Sequence, residues 1–404
     1  MPTSFRARLV CPVDCSPIDG GVVTVEGERI VAVGPARVAD GPVHDLGDVA
    51  LLPALVNTHT HLEFGHLRDP LGQPGMRLVD WLPLAIAERQ RRGELAVESI
   101  AAGLDESLAT GTCAIGEIAT APTGAYAVAS PIHLTLLAEA IGLSRARALS
   151  ALAAVEQRME SYQAANHTIG VSPHAPYTVS PTLARMLVLL ARRQGVPVAM
   201  HLAECEEELQ LMAEGSGPLR ELLESRSMWD ATALPAGTRP LDYLRILADA
   251  PQALVIHGNY LDHAELAFLA EHADRMSLVY CPRTHAYFSH PKYPLAALVA
   301  NGVRVAVGTD SRASNPDLNM LTELRYAASV HPDVPPDALC RMATLAAAEA
   351  LGIADDFGSI TAGKLACLIA VPIPGPTKTA AGFQELFLAD SAAATHCWLR
   401  GQPT

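Results

Sequence analysis

Short apolar runs alternate with longer amphipathic segments through most of this chain, and the alternation stops near both ends. The runs are 50–61, 112–118, 132–140, 168–174, 197–203, 253–260, 277–283 and 303–310. Between them the apolar positions recur at helical spacing, as in 79–92, 182–194 and 264–273. Eight strand-like runs separated by helices predict a (β/α)8 barrel, expected over 53–355. A doubly wound open sheet is the competing arrangement. It usually carries a glycine-rich phosphate loop after its first strand, and none stands here.

At the start, VVTVEGERIVAVG (22–34) holds two β-branched runs around a Gly-Glu turn, the pattern of a hairpin. The segment beginning at GSITAGKLACLIAVPI also reads as short strands broken by Gly and Pro. The fold class expected is therefore α/β: a TIM barrel with a small β-sandwich built from both termini, 1–52 and 356–404. Two unrelated β tails are the alternative. The fifth and sixth runs are separated by a long excursion, Glu204 to Pro251, of the kind that forms a lid or substrate loop.

Composition narrows the partners. A net charge of −14 repels polyanions, so no nucleic-acid polymer is expected. No run reaches the ~18 apolar residues of a spanning helix, and Arg6 and Arg8 interrupt any signal-peptide core. The expectation is a soluble cytoplasmic protein without a membrane partner. The eight cysteines form no CxxC pair, which disfavours a cysteine-ligated zinc site and fits free thiols in a reducing compartment.

Polar residues gather at the C-terminal edges of the runs: His59 and His61, Glu117, His174, His201, His257, Arg283 and Asp310. In a barrel these edges meet at one mouth, where active sites sit. His59 and His61 are two apart on a strand, so they share a face and can reach one ion. His201 and Asp310 can complete a set of three nitrogens and one carboxylate oxygen, suited to Zn²⁺ or Fe²⁺. The competing reading is a core histidine pair hydrogen-bonded to Asp310.

Glu204 falls just past the fifth run, in HLAE, where a carboxylate can carry a proton from water to a leaving group. An ion in such a set lowers the pKa of a bound water to roughly 7. Asp310 can share that proton, and His257 can stabilise developing negative charge. Glu204 also opens an acidic helix, AECEEELQ, whose dipole favours carboxylates in any case.

LLPALVNTHTHLEF, HLAE, VIHG, VGTDS and the terminal GSITAGKLACLIAV together resemble the amidohydrolase superfamily along essentially the whole chain, with Cys367 where many relatives have Asp. Some members bridge two metals through a carboxylated lysine on the fourth strand. The lysines here are Lys292, Lys364 and Lys378, all after the seventh run. The resemblance is therefore to the single-metal deaminase and chlorohydrolase branch. It implies one divalent ion, zinc before iron(II), held by His59, His61, His201 and Asp310, with Glu204 and His257 catalytic. SPHAPYTVSP (172–181) is similar to S-adenosylhomocysteine and methylthioadenosine deaminases and gives His174 a substrate contact. CPRTHAYFSHPKYPL and THLEF look closer to aminodeoxyfutalosine deaminases.

The expected activity is hydrolytic deamination of an amino-substituted heterocycle, an adenine nucleoside derivative. Halide release from a triazine-like ring is the alternative, and a non-catalytic binding barrel the remote one. Arg283 can pair with a substrate carboxylate or with a neighbouring loop acid. Glu117 and Glu63 can meet ring nitrogens or ribose hydroxyls, or else hold a ligand histidine. Trp81 and Trp229 can stack on a ring or simply pack. A homodimer is expected from relatives.

Overall fold

The computed structural model describes residues 1–92, 96–165, 167–373, 394 and 396–404. Eight parallel strands form the central sheet, in chain order. They are β1 (Leu55–Thr60), β2 (Thr112–Ala119), β3 (His133–Ala140), β4 (Thr168–Pro173), β5 (Val198–Leu202), β6 (Ala253–His257), β7 (Met276–Tyr280) and β8 (Val305–Val307). β5, β6 and β7 are buried at every position, as strands packed on both faces must be.

The seam between β1 and β8 is closed largely by side chains. Thr58 Oγ1 donates to the Val307 carbonyl at 2.8 Å, and Asn57 Nδ2 to Thr309 Oγ1 at 2.8 Å. The Asp310 amide donates to the His59 carbonyl at 3.0 Å. A Cβ at Gly308 would stand 2.8 Å from the His59 Cβ, so this approach needs glycine.

The outer helices follow from local sequence. In Pro181–Gln194, Ser180 caps the N-terminus by accepting from the Leu183 amide, and Pro181 takes the first turn. Leu183, Ala184, Leu187, Val188 and Ala191 make the buried stripe, and Gly195 ends the helix at φ 69°. Each fully buried leucine contributes about 2 kcal/mol of hydrophobic stabilisation.

The chain ends share a sheet. Leu368–Pro372 pairs antiparallel with Val49–Pro53 on one side and His396–Leu399 on the other. A second sheet holds Thr3–Arg6, Val43–Asp45 and the expected hairpin, Val22–Glu26 with Arg29–Gly34, turning at Gly27. Phe5, Val23, Leu51, Leu368 and Trp398 fill the core between the two sheets. Residues 374–393 and 395 of the expected C-terminal β segment lie outside the described residues. The 204–251 excursion carries three helices, Glu206–Glu214, Pro218–Ser225 and Pro240–Leu247. Among the described residues no helix is long and apolar enough to cross a membrane.

Candidate metal centre and active-site cavity

The C-terminal ends of β1, β5, β6 and β8 bring His59, His61, His201, His257 and Asp310 together. β1 changes register against β2 between Asn57 and Thr60, a bulge that re-aims the residues around His59. His257 and Asp310 take left-handed backbone, at φ 70° and 59°. Such conformations in non-glycine residues cost on the order of 1–3 kcal/mol each and are held by their surroundings.

Ligand atoms of His59, His61 and His201 lie within 4.8 Å of one another, as do those of His59, His257 and Asp310. His59 Nε2 stands 3.5 Å and His61 Nε2 3.7 Å from Asp310 Oδ1. Ligands bound about 2.0–2.1 Å from one tetrahedral ion would stand roughly 3.4 Å apart. The His59 ring meets those of His61 and His201 edge-on, at 84° and 77°.

Both His59 nitrogens and His61 Nδ1 are buried without a hydrogen-bond partner. Leaving such groups unsatisfied costs about 1–3 kcal/mol each, and a divalent cation, taking one nitrogen from each ring, fits this donor set. The histidine-pair-on-Asp310 alternative supplies no well-formed hydrogen bond to these nitrogens. The His201 Nδ1, 3.0 Å from the His174 carbonyl, acts as donor and leaves Nε2 for a metal.

Electrostatics suit ligation. Burial holds the His61, His201 and His257 imidazoles well below their usual range, hence neutral. Burial pushes the Asp310 carboxyl up, but its contact with His59, 3.5 Å away, leads the opposing effects, and the net direction is well below the usual range. Burial, then the charges of Asp310 and Glu208, push Glu204 well above its usual range, so it holds a proton readily.

Glu204 Oε1 lies 3.4 Å from His257 Nε2. Its position is set from below by Glu208, a residue the sequence reading passed over. Glu208 Oε1 and Oε2 accept from the Ala203 and Glu204 amides at 2.8 and 3.0 Å. Those bonds pin a turn in which Ala203 sits at φ 52°. Asn259 Nδ2 holds the Glu204 carbonyl at 3.0 Å. The one sequence signal for Glu208 was its place four residues after Glu204, one helical turn on.

A cavity of about 420 Å³ opens above this cluster. His61, His174, His201, Glu204, His257 and Asp310 line its floor, and Phe64, Leu78, Trp81, Leu219, Leu222, Leu223, Met228 and Phe288 its walls. The 204–251 excursion thus supplies part of the wall. His174 Nδ1 is 2.7 Å from Thr178 Oγ1, and burial lowers its pKa to about 3, so the ring faces the cavity neutral. Trp81 anchors its indole on the Leu71 carbonyl at 2.9 Å and meets Phe288 edge-on.

The other expected substrate residues are engaged elsewhere. Arg283 does not line the cavity. Its guanidinium binds Asp317 at 2.5 and 2.9 Å and Glu323 at 2.7 Å, because β7 gives way to the helix Pro282–Tyr287. Glu117 is fully buried beneath the β1 end. It accepts from Thr60 Oγ1 at 2.7 Å and the Leu62 amide at 2.9 Å, and burial raises its pKa to about 8. Glu63 is buried against Arg89 at 2.5 Å and Thr120 at 2.9 Å. Both acids hold the segment that carries His61 rather than facing the cavity. Trp229 lies outside the cavity lining and stacks beneath Arg220.

Known proteins share this architecture. An aminodeoxyfutalosine deaminase of Deinococcus radiodurans is 29% identical over 343 residues, 80% of this chain and 79% of that protein. A 5-methylthioadenosine/S-adenosylhomocysteine deaminase of Moorella thermoacetica is 30% identical over 389 residues, 91% and 85% of the two chains. The crystal structure of an adenosine deaminase from Xanthomonas campestris with bound zinc superposes with a TM-score of 0.76 at 26% identity, covering 99% of this chain and 92% of that one. With residues 50–392 matching the amidohydrolase family, and the barrel and its histidine-aspartate mouth in place, this chain belongs to that family of hydrolases.

Proposed function

We propose that this protein hydrolytically removes ammonia from an amino-substituted heterocycle, an adenine nucleoside derivative of the aminodeoxyfutalosine, methylthioadenosine or S-adenosylhomocysteine type. The observation that carries the reading is Glu204. A carboxylate pushed toward protonation stands 3.4 Å from His257, over a cluster of three imidazoles and one aspartate at the floor of a closed-in cavity. When bound there, a divalent ion lowers the pKa of a water to about 7. His59, His61, His201 and Asp310 are the residues that hold it. The bound zinc of the Xanthomonas relative favours zinc, and the donor set also accommodates iron(II).

Water adds to the ring carbon that bears the amine. One proton of that water passes through Glu204 to the adjacent ring nitrogen, and the second, taken up by Asp310 and Glu204, goes to the amine as the C–N bond breaks and ammonia leaves. His257 positions the attacking water and stabilises the negative charge that develops, while Asp310 holds the water and shares its proton. His174, neutral and fixed by Thr178, meets the ring, and Trp81 forms the wall beside it. A cytoplasmic setting is supported by the eight unpaired thiols.

The test is ammonia release from aminodeoxyfutalosine, methylthioadenosine, S-adenosylhomocysteine, adenosine, guanine and cytosine, alongside chloride release from a chlorotriazine. Ammonia from one or more of the adenine compounds is expected. Chloride release without any ammonia would replace this reading with halide expulsion.

A further inference from the structure

The cavity is polarised along its length. Among the described lining residues, the carboxylates are Glu204 and Asp310, both at the floor. Above them the wall is largely apolar, interrupted by Gln90 and two arginines. Arg89 lies in the last turn of the helix Leu78–Arg92, and Arg226 ends the helix Pro218–Ser225; these two helices pack against each other.

The arginines differ in their partners. Arg89 is the inner one, close enough to the floor for its charge to act on His61 and His174. Its Nη2 donates to Glu63 at 2.5 Å and its Nη1 lies 3.8 Å from Glu139, yet its Nε is buried without an acceptor. Arg226 is exposed at the mouth, and its guanidinium makes no hydrogen bond or ion pair among the described residues. One end of the cavity thus carries acid and the other a single uncompensated cation.

We infer that the outer half of the cavity is a subsite for an apolar substrate arm ending in a carboxylate, with Arg226 as its counterion and Arg89 Nε as an inner donor to an oxygen nearer the ring. A single uncompensated guanidinium matches a monoanion better than a phosphate dianion. An ammonium on the arm finds no carboxylate in the outer half among the described residues, and its desolvation goes uncompensated. The order expected on the arm is carboxylate alone, then neutral, then zwitterion. For its substrates this inference rests on the deaminase reading, and its closing test separates the two.

The first measurement is kcat/KM for aminodeoxyfutalosine, whose arm is an aryl carboxylate, relative to methylthioadenosine, whose arm is neutral. The ratio should fall about 10-fold or more in Arg226→Gln, chiefly through KM, and largely survive in Arg226→Lys. An unchanged ratio in Arg226→Gln overturns the subsite.

The second measurement needs no turnover: calorimetric binding of 3-phenylpropionate against 3-phenylpropionamide. The acid should bind about 10-fold tighter in the wild type and lose that preference in Arg226→Gln. Equal binding of acid and amide overturns the subsite. A preference for the acid in a protein that deaminates neither nucleoside upholds the subsite while removing the proposed activity.

Discussion

A carboxylate can move a proton only if the backbone beneath it holds it over the reacting atom. Glu204 is held by Glu208, which takes both of its hydrogen bonds from the turn that carries Glu204. Two substitutions separate the roles. Glu204→Gln keeps the shape and removes the titrating group. It should keep its metal by elemental analysis and lose about 10²–10⁴-fold in turnover; an unchanged rate would remove Glu204 from the mechanism. Glu208→Gln sets an amide NH₂ against a backbone N–H and removes a carboxyl that burial raises to about 7, charged above that pH. It should lose about 1–3 kcal/mol of stability and on the order of 10-fold in kcat. The pH profile tells positioning from mere support. Glu208 is one of the charges that raise the Glu204 pKa, so its removal should move the Glu204 limb to lower pH. A limb that stays put while kcat falls would leave Glu208 with a packing role alone.

At the scale of elements, the barrel depends on the seam where β1 meets β8, and the same seam carries His59 and Asp310. Asn57 spans it twice, donating to Thr309 Oγ1 at 2.8 Å and accepting the Thr309 amide at 3.1 Å. Asn57→Ala leaves the buried Thr309 and His59 amides without their Asn57 acceptor, while the Thr309 hydroxyl keeps its bond to the Asp310 carbonyl. We expect a loss of about 2–4 kcal/mol, read from the urea midpoint, together with weaker metal retention. Stability lost with metal retention intact would mean that the seam does not position the ligands.

The seam also marks what the sequence could reveal. His59, His61, His201 and Asp310 were legible because a parallel barrel brings every strand end to one mouth, whatever the sequence distance. Asn57 was not, because its partner lies 252 residues away and an asparagine within a strand announces no contact. Arg283 was read two ways, toward a substrate carboxylate or a neighbouring loop acid, and its ion pairs match the second. Its place after the seventh run was read correctly, but the helix that starts at Pro282 turns it toward Glu323 and Asp317, acids 40 and 34 residues on. Arg226 went unremarked because the path of the excursion over the mouth is a matter of tertiary packing.

On the scale of the whole molecule, the candidate metal centre ties stability to the proposed function. The site gathers buried imidazoles with unpartnered nitrogens and two residues in left-handed backbone. Each feature raises the free energy of the folded chain, and a cation that binds only the folded state offsets it. At a free metal concentration about 1,000 times Kd, one site contributes about 4 kcal/mol. In a chain of 404 residues that corresponds to a Tm shift on the order of 5 °C. Protein purified without chelator should therefore melt higher than chelator-treated protein by roughly that amount, and added zinc should restore the difference. Asp310→Asn, which removes the anionic ligand, should melt at nearly the same temperature with and without chelator. The two measurements constrain each other. A chelator-insensitive Tm, with less than about 0.3 metal per wild-type chain, would mean that the histidine cluster is a packed core rather than a metal centre. A chelator-sensitive Tm that persists in Asp310→Asn would keep the metal but place its fourth ligand elsewhere, with His257 next in line by its distance from His59.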